Sequence, residues 1–304
     1  MSGASARPRL GAHMSIAGGL PRAVARAVLH GCESLQIFTR STGRWQARAF
    51  SPEEVAAFRH EAAAAGLFPI VSHASYLINV ASADLVLCRR SLGALGDELD
   101  RAERLGLFGV VLHPGTGPEA AGLPRIAEAV ATLLADRPAD RARVLLEHTA
   151  GQGASLGWRF EHLARIIELA GGAPRIGVCL DTCHLLAAGY DLTTESGYRQ
   201  TFDDFARIVG LGRLCLFHLN DSKRPPGSRV DRHEHIGRGY VGLPAFRRLL
   251  CDSRFAGLPM IIETAKSPGR EGPRVQLDPL DEMNLATLRR LLASRAAERR
   301  TSRP

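Results

Sequence analysis

Lysine is almost missing from this chain: only Lys223 and Lys266 occur among 39 basic residues in a sequence of 304. The net charge of +8 at pH 7 is therefore carried by arginine. That sign is compatible with a polyanionic partner, but placement, not the total, decides its meaning. The six cysteines (Cys32, Cys88, Cys179, Cys183, Cys215 and Cys251) include no C-x-x-C pair. Their scatter through apolar segments of a long chain argues against a disulfide framework and predicts reduced thiols in a cytoplasmic setting. No apolar run follows Arg7 and Arg9, so no secretory leader is expected. The longest uncharged stretch, 62–83, is interrupted by Pro69, His73 and Asn79, which excludes a membrane span there. Also missing are a nucleophile elbow and a G-x-x-x-x-G-K-[ST] phosphate loop.

With hydrophobic residues at 45% and charged ones at 23%, the composition is that of a globular protein. One rhythm fills the chain: a short apolar run, a polar turn, then a segment with helical spacing. The runs are Arg9–His13, Ser34–Thr39, Phe68–His73, Gly109–His113, Val144–Glu147, Ile176–Asp181, Arg213–His218 and Pro259–Glu263. Near-continuous apolarity, as in VVLH, VLLE and MIIE, marks strands buried on both faces. Amphipathic stretches lie between them, including Phe160-Leu163-Ile167 and residues 85–105. In the latter, Asp97, Glu98, Asp100 and Arg101 are assigned to the solvent side. Eight such units predict a (β/α)8 TIM barrel of the α/β class, with a doubly wound sheet as the alternative. A single domain is expected over residues 8–296, between a flexible segment at 1–7 and a flexible basic one at 297–304.

Two connections are long: Ser222–Val241 and Lys266–Asp278. Both are basic and both follow strand C-termini, the face on which barrels build their active sites. The positive charge is thus expected around the mouth.

What ends each run is more telling. His73, His113, Glu147, Asp181, His218 and Glu263 close six consecutive strands, and His13 closes the first. In a barrel these ends converge on one axis. Three carboxylates with no lysine or arginine beside them repel one another, and cations relieve that repulsion. Imidazole mixed with carboxylate suits zinc, manganese or iron better than calcium or magnesium. His184, three residues after Asp181, and the pair Asp231 and His233 add further ligand types. That total exceeds the three protein groups of a single catalytic ion, so a cluster of two or three ions is expected. Cys179 and Cys183 are expected to be buried packing residues, and His235 to be surplus to the metal set. Several ions beside basic loops suit phosphodiester hydrolysis, in which metals activate water and neutralise charge on the attacking and leaving oxygens.

The segments LGAHMSIAGGL, QIFTRSTGRW, SHASYLIN, LHPG, EHTAGQG, GVCLDTCHLLAAGYD, HLNDSK, GSRVDRHEHIGRG and IIET resemble the endonuclease IV family of apurinic/apyrimidinic endonucleases, from about residue 9 to about 295. The resemblance implies a zinc-dependent barrel that cuts the DNA backbone on the 5′ side of an abasic site, leaving a 3′-hydroxyl and a 5′-deoxyribose phosphate. It also implies removal of blocked 3′ ends. Three zinc ions per chain are implied: one held by His73, His113 and Glu147, a second by Glu147 as bridge with Asp181, His218 and Glu263, and a third by His184, Asp231 and His233. Glu147 and Glu263 are the implied catalytic carboxylates. The implied partner is double-stranded DNA with abasic sites or blocked 3′ ends, bound by a monomer, with no membrane partner.

The same resemblance makes Tyr76 a residue that enters the duplex and puts Arg44 in the DNA-binding loop after strand two, while Arg232, held between Asp231 and His233, is placed for a phosphate. Members of the family commonly carry an Asn and an Arg ahead of the tryptophan after strand two. Here Ser41-Thr42-Gly43-Arg44-Trp45 stands instead, and Arg44 is expected to take that arginine's place. His148 stands where the family commonly has Asn. Two alternatives remain from the residues themselves: a divalent-metal sugar isomerase or epimerase on the same barrel, and a damage-sensing DNA-binding protein without chemistry.

Overall fold

The structure is a computed structural model, which describes residues 7–269 and 272–301. The strands, in chain order, are β1 (Arg9–His13), β2 (Ser34–Phe38), β3 (Ile70–His73), β4 (Gly109–Leu112), β5 (Arg143–Glu147), β6 (Ile176–Asp181), β7 (Leu214–His218), β8 (Asp221–Ser222), β9 (His233–Glu234) and β10 (Pro259–Ile262). All but β8 and β9 close into one barrel in the order β1-β10-β7-β6-β5-β4-β3-β2. Every barrel pair is parallel, and β1 against β10 closes it. The helices are α1 (Leu20–Leu29), α2 (Pro52–Ala64), α3 (Leu85–Leu105), α4 (Glu119–Ala135), α5 (Phe160–Leu169), α6 (Thr182–Ala188), α7 (Glu195–Ile208), α8 (Gly242–Cys251) and α9 (Pro279–Thr301). The expected TIM barrel in one domain is what the chain forms. No helix among the described residues is long and apolar enough to cross a membrane.

Period-2 alternation along each strand explains how the mouth acquires its chemistry. Val71, Val111, Leu145, Cys179, Leu216 and Ile261 pack together as the barrel's inner core. Two residues beyond each lie His73, His113, Glu147, Asp181, His218 and Glu263, which therefore point to the same axis. The intervening residues Leu112, Leu146, Leu180, Phe217 and Ile262 face outward into the larger core under the helices. Phe202, Phe217 and Phe255 form part of that layer, with ring centroids 4.8–6.0 Å apart. Such aromatic contacts contribute about 0.5–1.5 kcal/mol each beyond the area they bury.

Three expectations change. On α3, Asp97 and Asp100 are exposed as expected, but Glu98 is 0% and Arg101 5% exposed. Arg40 supplies the reason: its Nε lies 2.8 Å from Glu98 Oε1, while Arg101 donates through Nε to Thr39 Oγ1 and through NH1 to the Arg48 carbonyl. A charge that is ion-paired, as Glu98 is, or given hydrogen-bond acceptors, as Arg101 is, can sit where an isolated one cannot. The connection 222–241, expected only as a long basic loop, carries secondary structure of its own, because β8 and β9 pair as a short antiparallel ribbon. Asp221 organises it, accepting from the backbone N–H groups of Ser222, Gly237 and Val241. Gly239 is required there: a Cβ would lie 2.3 Å from the Ser222 carbonyl oxygen. Finally, not all of the positive charge faces the mouth. Arg213 donates to the carbonyls of Gly172, Ala173 and Ile176, and Arg175 to those of Leu134, Arg137 and Ala142, both just before their strands begin. Helix α9 continues through Thr301, and of the segments expected to be flexible, 1–6 and 302–304 lie outside the described residues.

Candidate metal centre

The nine strand-end and loop residues singled out above gather at the C-terminal mouth of the barrel. They fall into three groups whose potential ligand atoms all lie within 4.8 Å of one another: His73, His113 and Glu147; Glu147, Asp181, His218 and Glu263; and His184, Asp231 and His233. Glu147 belongs to two of them, and its two oxygens face different neighbours. Oε2 lies 3.1 Å from both His73 Nε2 and His113 Nε2. Oε1 lies 3.0 Å from His218 Nδ1 and 3.3 Å from His184 Nδ1.

The outer nitrogens of the histidines explain why the inner ones are available. His73 Nδ1 donates to the Ala74 carbonyl at 2.8 Å, His184 Nδ1 to the His148 carbonyl at 2.8 Å, and His218 Nε2 to Gln36 Oε1 at 2.8 Å. Those acceptors fix the tautomer, assigned from the network. Each ring then turns a lone pair toward carboxylate oxygens that have no hydrogen to give. Lone pair against carboxylate is repulsive unless a cation stands between, whether proton or metal. His184 Nε2 and His233 Nε2 are buried without a hydrogen-bond partner among the described residues, although Asp231 oxygens lie 3.1 and 3.3 Å away. Contacts so short and so poorly aligned for hydrogen bonding suit atoms directed at a shared point between them. The donor set therefore fits metal ions.

Without a metal, protons take that role. Burial disfavours the charged ring of His233, but Asp181 and Asp231 overcome it and lift its pKa to about 9. Burial likewise opposes His184 and His218, yet Asp181, Asp231 and Glu147 hold the first, and Cys179, Glu263 and Glu147 the second, well above the ordinary imidazole value. Burial raises the Glu263 carboxyl, and the facing His218 and His73 outweigh it to bring it down to about 2. Glu147 is held well below the carboxylate range, against its burial, mainly by His113 and His218.

Residues that hold the ligands were less visible in the sequence. Gln36, fully buried in the middle of β2, accepts from His218 Nε2, donates to Glu263 Oε1, and lies 3.0 Å from His13 Nδ1. Asn220 donates to Asp181 Oδ2 at 2.6 Å, and its Oδ1 accepts from the Glu263 N–H at 2.9 Å. A buried amide inside an apolar run was the available signal for Gln36. Asp181 also caps α6, accepting from the Cys183 and His184 N–H groups, so the D-T-C-H spacing is a helix start that aims His184 inward.

Cys179 and Cys183 lie close enough to be grouped with Glu147 and His218, and with Asp181 and His233. Burial pushes both thiols up to about 12, so they stay protonated and pack, as expected. His235 is held apart by Asn284 at 3.0 Å. His148 is fully buried against Phe160 and Tyr190, and neither ring nitrogen has a partner among the described residues. Its carbonyl, not its ring, serves His184. Tyr76 stands at the rim, 66% exposed, with its ring 5.5 Å from that of His73. Arg44 and Arg232 are exposed. Arg232 NH1 donates to the carbonyl of its neighbour Asp231. A cavity of about 210 Å3 beside His73 and His113 is lined by Tyr76, Asn79, Thr116 and Ser155.

Fold and site together define a TIM barrel with a cluster of histidines and carboxylates at its mouth, and a family model described as a xylose isomerase-like TIM barrel matches residues 24–286. A protein of Chloroflexus aurantiacus named probable endonuclease 4 is 50% identical over 288 residues, covering 94% of this chain and 98% of that protein. One of the same name from Geobacter sulfurreducens is 47% identical, covering 96% and 97%. The crystal structure of endonuclease IV from Thermus thermophilus superposes with a TM-score of 0.83 at 39% identity, covering 94% of this chain and all of that one. L-ribulose 3-epimerase, at 18% identity and a TM-score of 0.70, shares the fold. The chain belongs to the endonuclease IV family of apurinic/apyrimidinic endonucleases, which are phosphodiester hydrolases.

Proposed function

We propose that this protein is a zinc-dependent DNA-repair endonuclease that hydrolyses the phosphodiester 5′ to an abasic site, leaving a 3′-hydroxyl and a 5′-deoxyribose phosphate, and that it also clears blocked 3′ ends. It acts as a monomer on double-stranded DNA and holds three zinc ions. The observation that carries this is Glu147, which turns one oxygen to the His73–His113 pair and the other to His218, the posture of a carboxylate shared by two ions.

His73, His113 and Glu147 would hold one zinc, Glu147, Asp181, His218 and Glu263 the second, and His184, Asp231 and His233 the third. Zinc, when bound, supplies Lewis acidity toward the phosphate and a nucleophile available near neutral pH. The chain's own part is to fix the donors. Glu147 sets the distance between two sites, and Gln36 and Asn220 hold Glu263 and Asp181 in their orientations. Ordered partners of this kind raise ligand basicity and keep the geometry preorganised. Tyr76 projects from the rim and is placed to enter a distorted duplex, while exposed Arg44 and Arg232 meet phosphates. All nine proposed metal-holding groups come from one chain, so the site needs no second copy to be complete. A neutral sugar as substrate would leave the His184–Asp231–His233 group and these arginines without a task.

The test is a labelled duplex carrying a single abasic analogue. Cutting on its 5′ side without added magnesium, giving a 3′-hydroxyl and abolished by prolonged chelation, is the expected result. A break on the 3′ side, or one indifferent to the chelator, would overturn the proposal.

A further inference from the structure

The barrel is closed where β1 meets β10, its first and last strands, and no loop joins these neighbours. At the mouth end of that seam His13 Nδ1 and Glu263 Oε1 stand 3.9 Å apart. Beyond them, the loop after β1 and the basic loop after β10 come together. Arg26, on α1, reaches both. It is 5% exposed. Its NH1 donates to the Ser15 carbonyl at 2.6 Å, and its NH2 donates to the carbonyls of Ala17 at 2.9 Å, Gly272 at 2.8 Å and Arg274 at 3.1 Å. All four acceptors are backbone oxygens, two in each loop. The guanidinium thus cross-links segments separated by nearly the whole chain, instead of serving as half of an ion pair.

The two loops also touch directly. Gly18 has φ +87°, and a Cβ there would lie 3.0 Å from the Pro273 carbonyl oxygen. Ser15, Ile16 and Ala17 form one wall of a cavity of about 630 Å3 that His13, Phe38 and Lys266 also line. Lys266 is taken up by Asp281 at 2.6 Å, so it does not hold the wall. NH2 serves three of the four carbonyls, in both loops, and NH1 the fourth, so two nitrogens are in use at once, whereas an ammonium offers all its donors from a single nitrogen.

We infer that Arg26 is a positioning residue that locks the two loops across the seam and so fixes the wall of the DNA-binding cleft on the Glu263 side of the metal centre. What the cleft receives rests on the proposed function; the cross-link itself does not. Removing it loosens a binding surface without disturbing the metal-holding groups, which Gln36 and Asn220 keep in place. Ground and transition states then lose binding alike, which raises KM and spares kcat.

The experiment compares the metal-loaded parent with Arg26→Met and Arg26→Lys by hydrogen exchange, metal content and steady-state kinetics on the abasic duplex. In Arg26→Met, amide exchange is expected to rise about ten-fold in residues 15–18 and 272–276 together, because both belong to one cooperative opening. KM is expected to rise about five-fold with kcat within about two-fold of the parent, the pattern of lost uniform binding. Arg26→Lys, which keeps the charge and part of the bonding, falls between and guards against simple misfolding. Exchange that rises in only one loop or in neither overturns the cross-link. Looser loops with an unmoved KM, or a fall in kcat and metal content instead, overturn its role in the cleft. If the parent leaves abasic duplex uncut, the fault lies with the proposed function, and the exchange arm still decides the cross-link.

Discussion

Replacing Gln36 by leucine removes three contacts at once while roughly preserving volume. The amide oxygen that receives His218 Nε2–H at 2.8 Å is lost, as is the donor to Glu263 Oε1 and the contact with His13 Nδ1 at 3.0 Å. His218 is 0% exposed, so its freed N–H finds no water in exchange. Leaving a buried donor unpaired costs about 1–3 kcal/mol. Loss of a partner that orients a metal ligand typically costs about 10–100-fold in metal affinity or activity, equivalent to about 1.4–2.7 kcal/mol. The two routes agree, so Gln36→Leu is predicted to bind zinc about 10–100-fold more weakly at the Glu147–His218–Glu263 group, with turnover falling in step at limiting metal. Competition against a chromophoric chelator reads the affinity, and circular dichroism checks the fold. Zinc affinity and turnover within about two-fold of the parent would refute the claim that Gln36 orients these ligands.

Glu147→Gln keeps the shape but loses the charge facing four imidazole nitrogens. It should lower kcat by more than about 100-fold, beyond what an outer partner costs, with fewer ions per chain by elemental analysis. Zinc uptake at pH 7 should release protons, because His233, at about 9 without metal, is protonated there; calorimetry in buffers of different ionisation enthalpy measures this, and affinity should rise with pH up to about 9. For the metal-free protein the sign is opposite: a raised folded-state pKa means that His233's stabilisation is complete below about 6.5 and is lost as pH rises through about 9, which melting curves across that window will register. Duplex affinity should fall steeply with salt, and Arg44→Ala and Arg232→Ala should each reduce the log–log slope by about 1 if each neutralises one phosphate.

The barrel and the ligand set were legible because both follow from periodicity. A strand that places Val71, Val111 or Ile261 in the inner core must send His73, His113 or Glu263, two residues on, to the same side. Nothing comparable marks Gln36 or Asn220, whose importance lies in contacts made across the barrel, with partners tens to hundreds of residues distant. Glu98 and Arg101 were assigned to solvent because a helical pattern counts charges as wet. Only tertiary placement brings Arg40 to pair with Glu98 and Thr39 to hydrogen-bond both. The β8–β9 ribbon spans four residues in a segment rich in Gly and Arg, too short for alternation to register. Arginine content was ambiguous for a similar reason: Arg26, Arg175 and Arg213 are spent on backbone carbonyls, while Arg44 and Arg232 face solvent.

The most direct test of the central claim is metal stoichiometry by elemental analysis of protein purified without chelator, beside a variant carrying Asp231→Ala and His233→Ala. Three zinc ions per chain in the parent, two in the variant, is the predicted result. A parent with no bound transition metal, or one whose content is unchanged by removing Asp231 and His233, would contradict it.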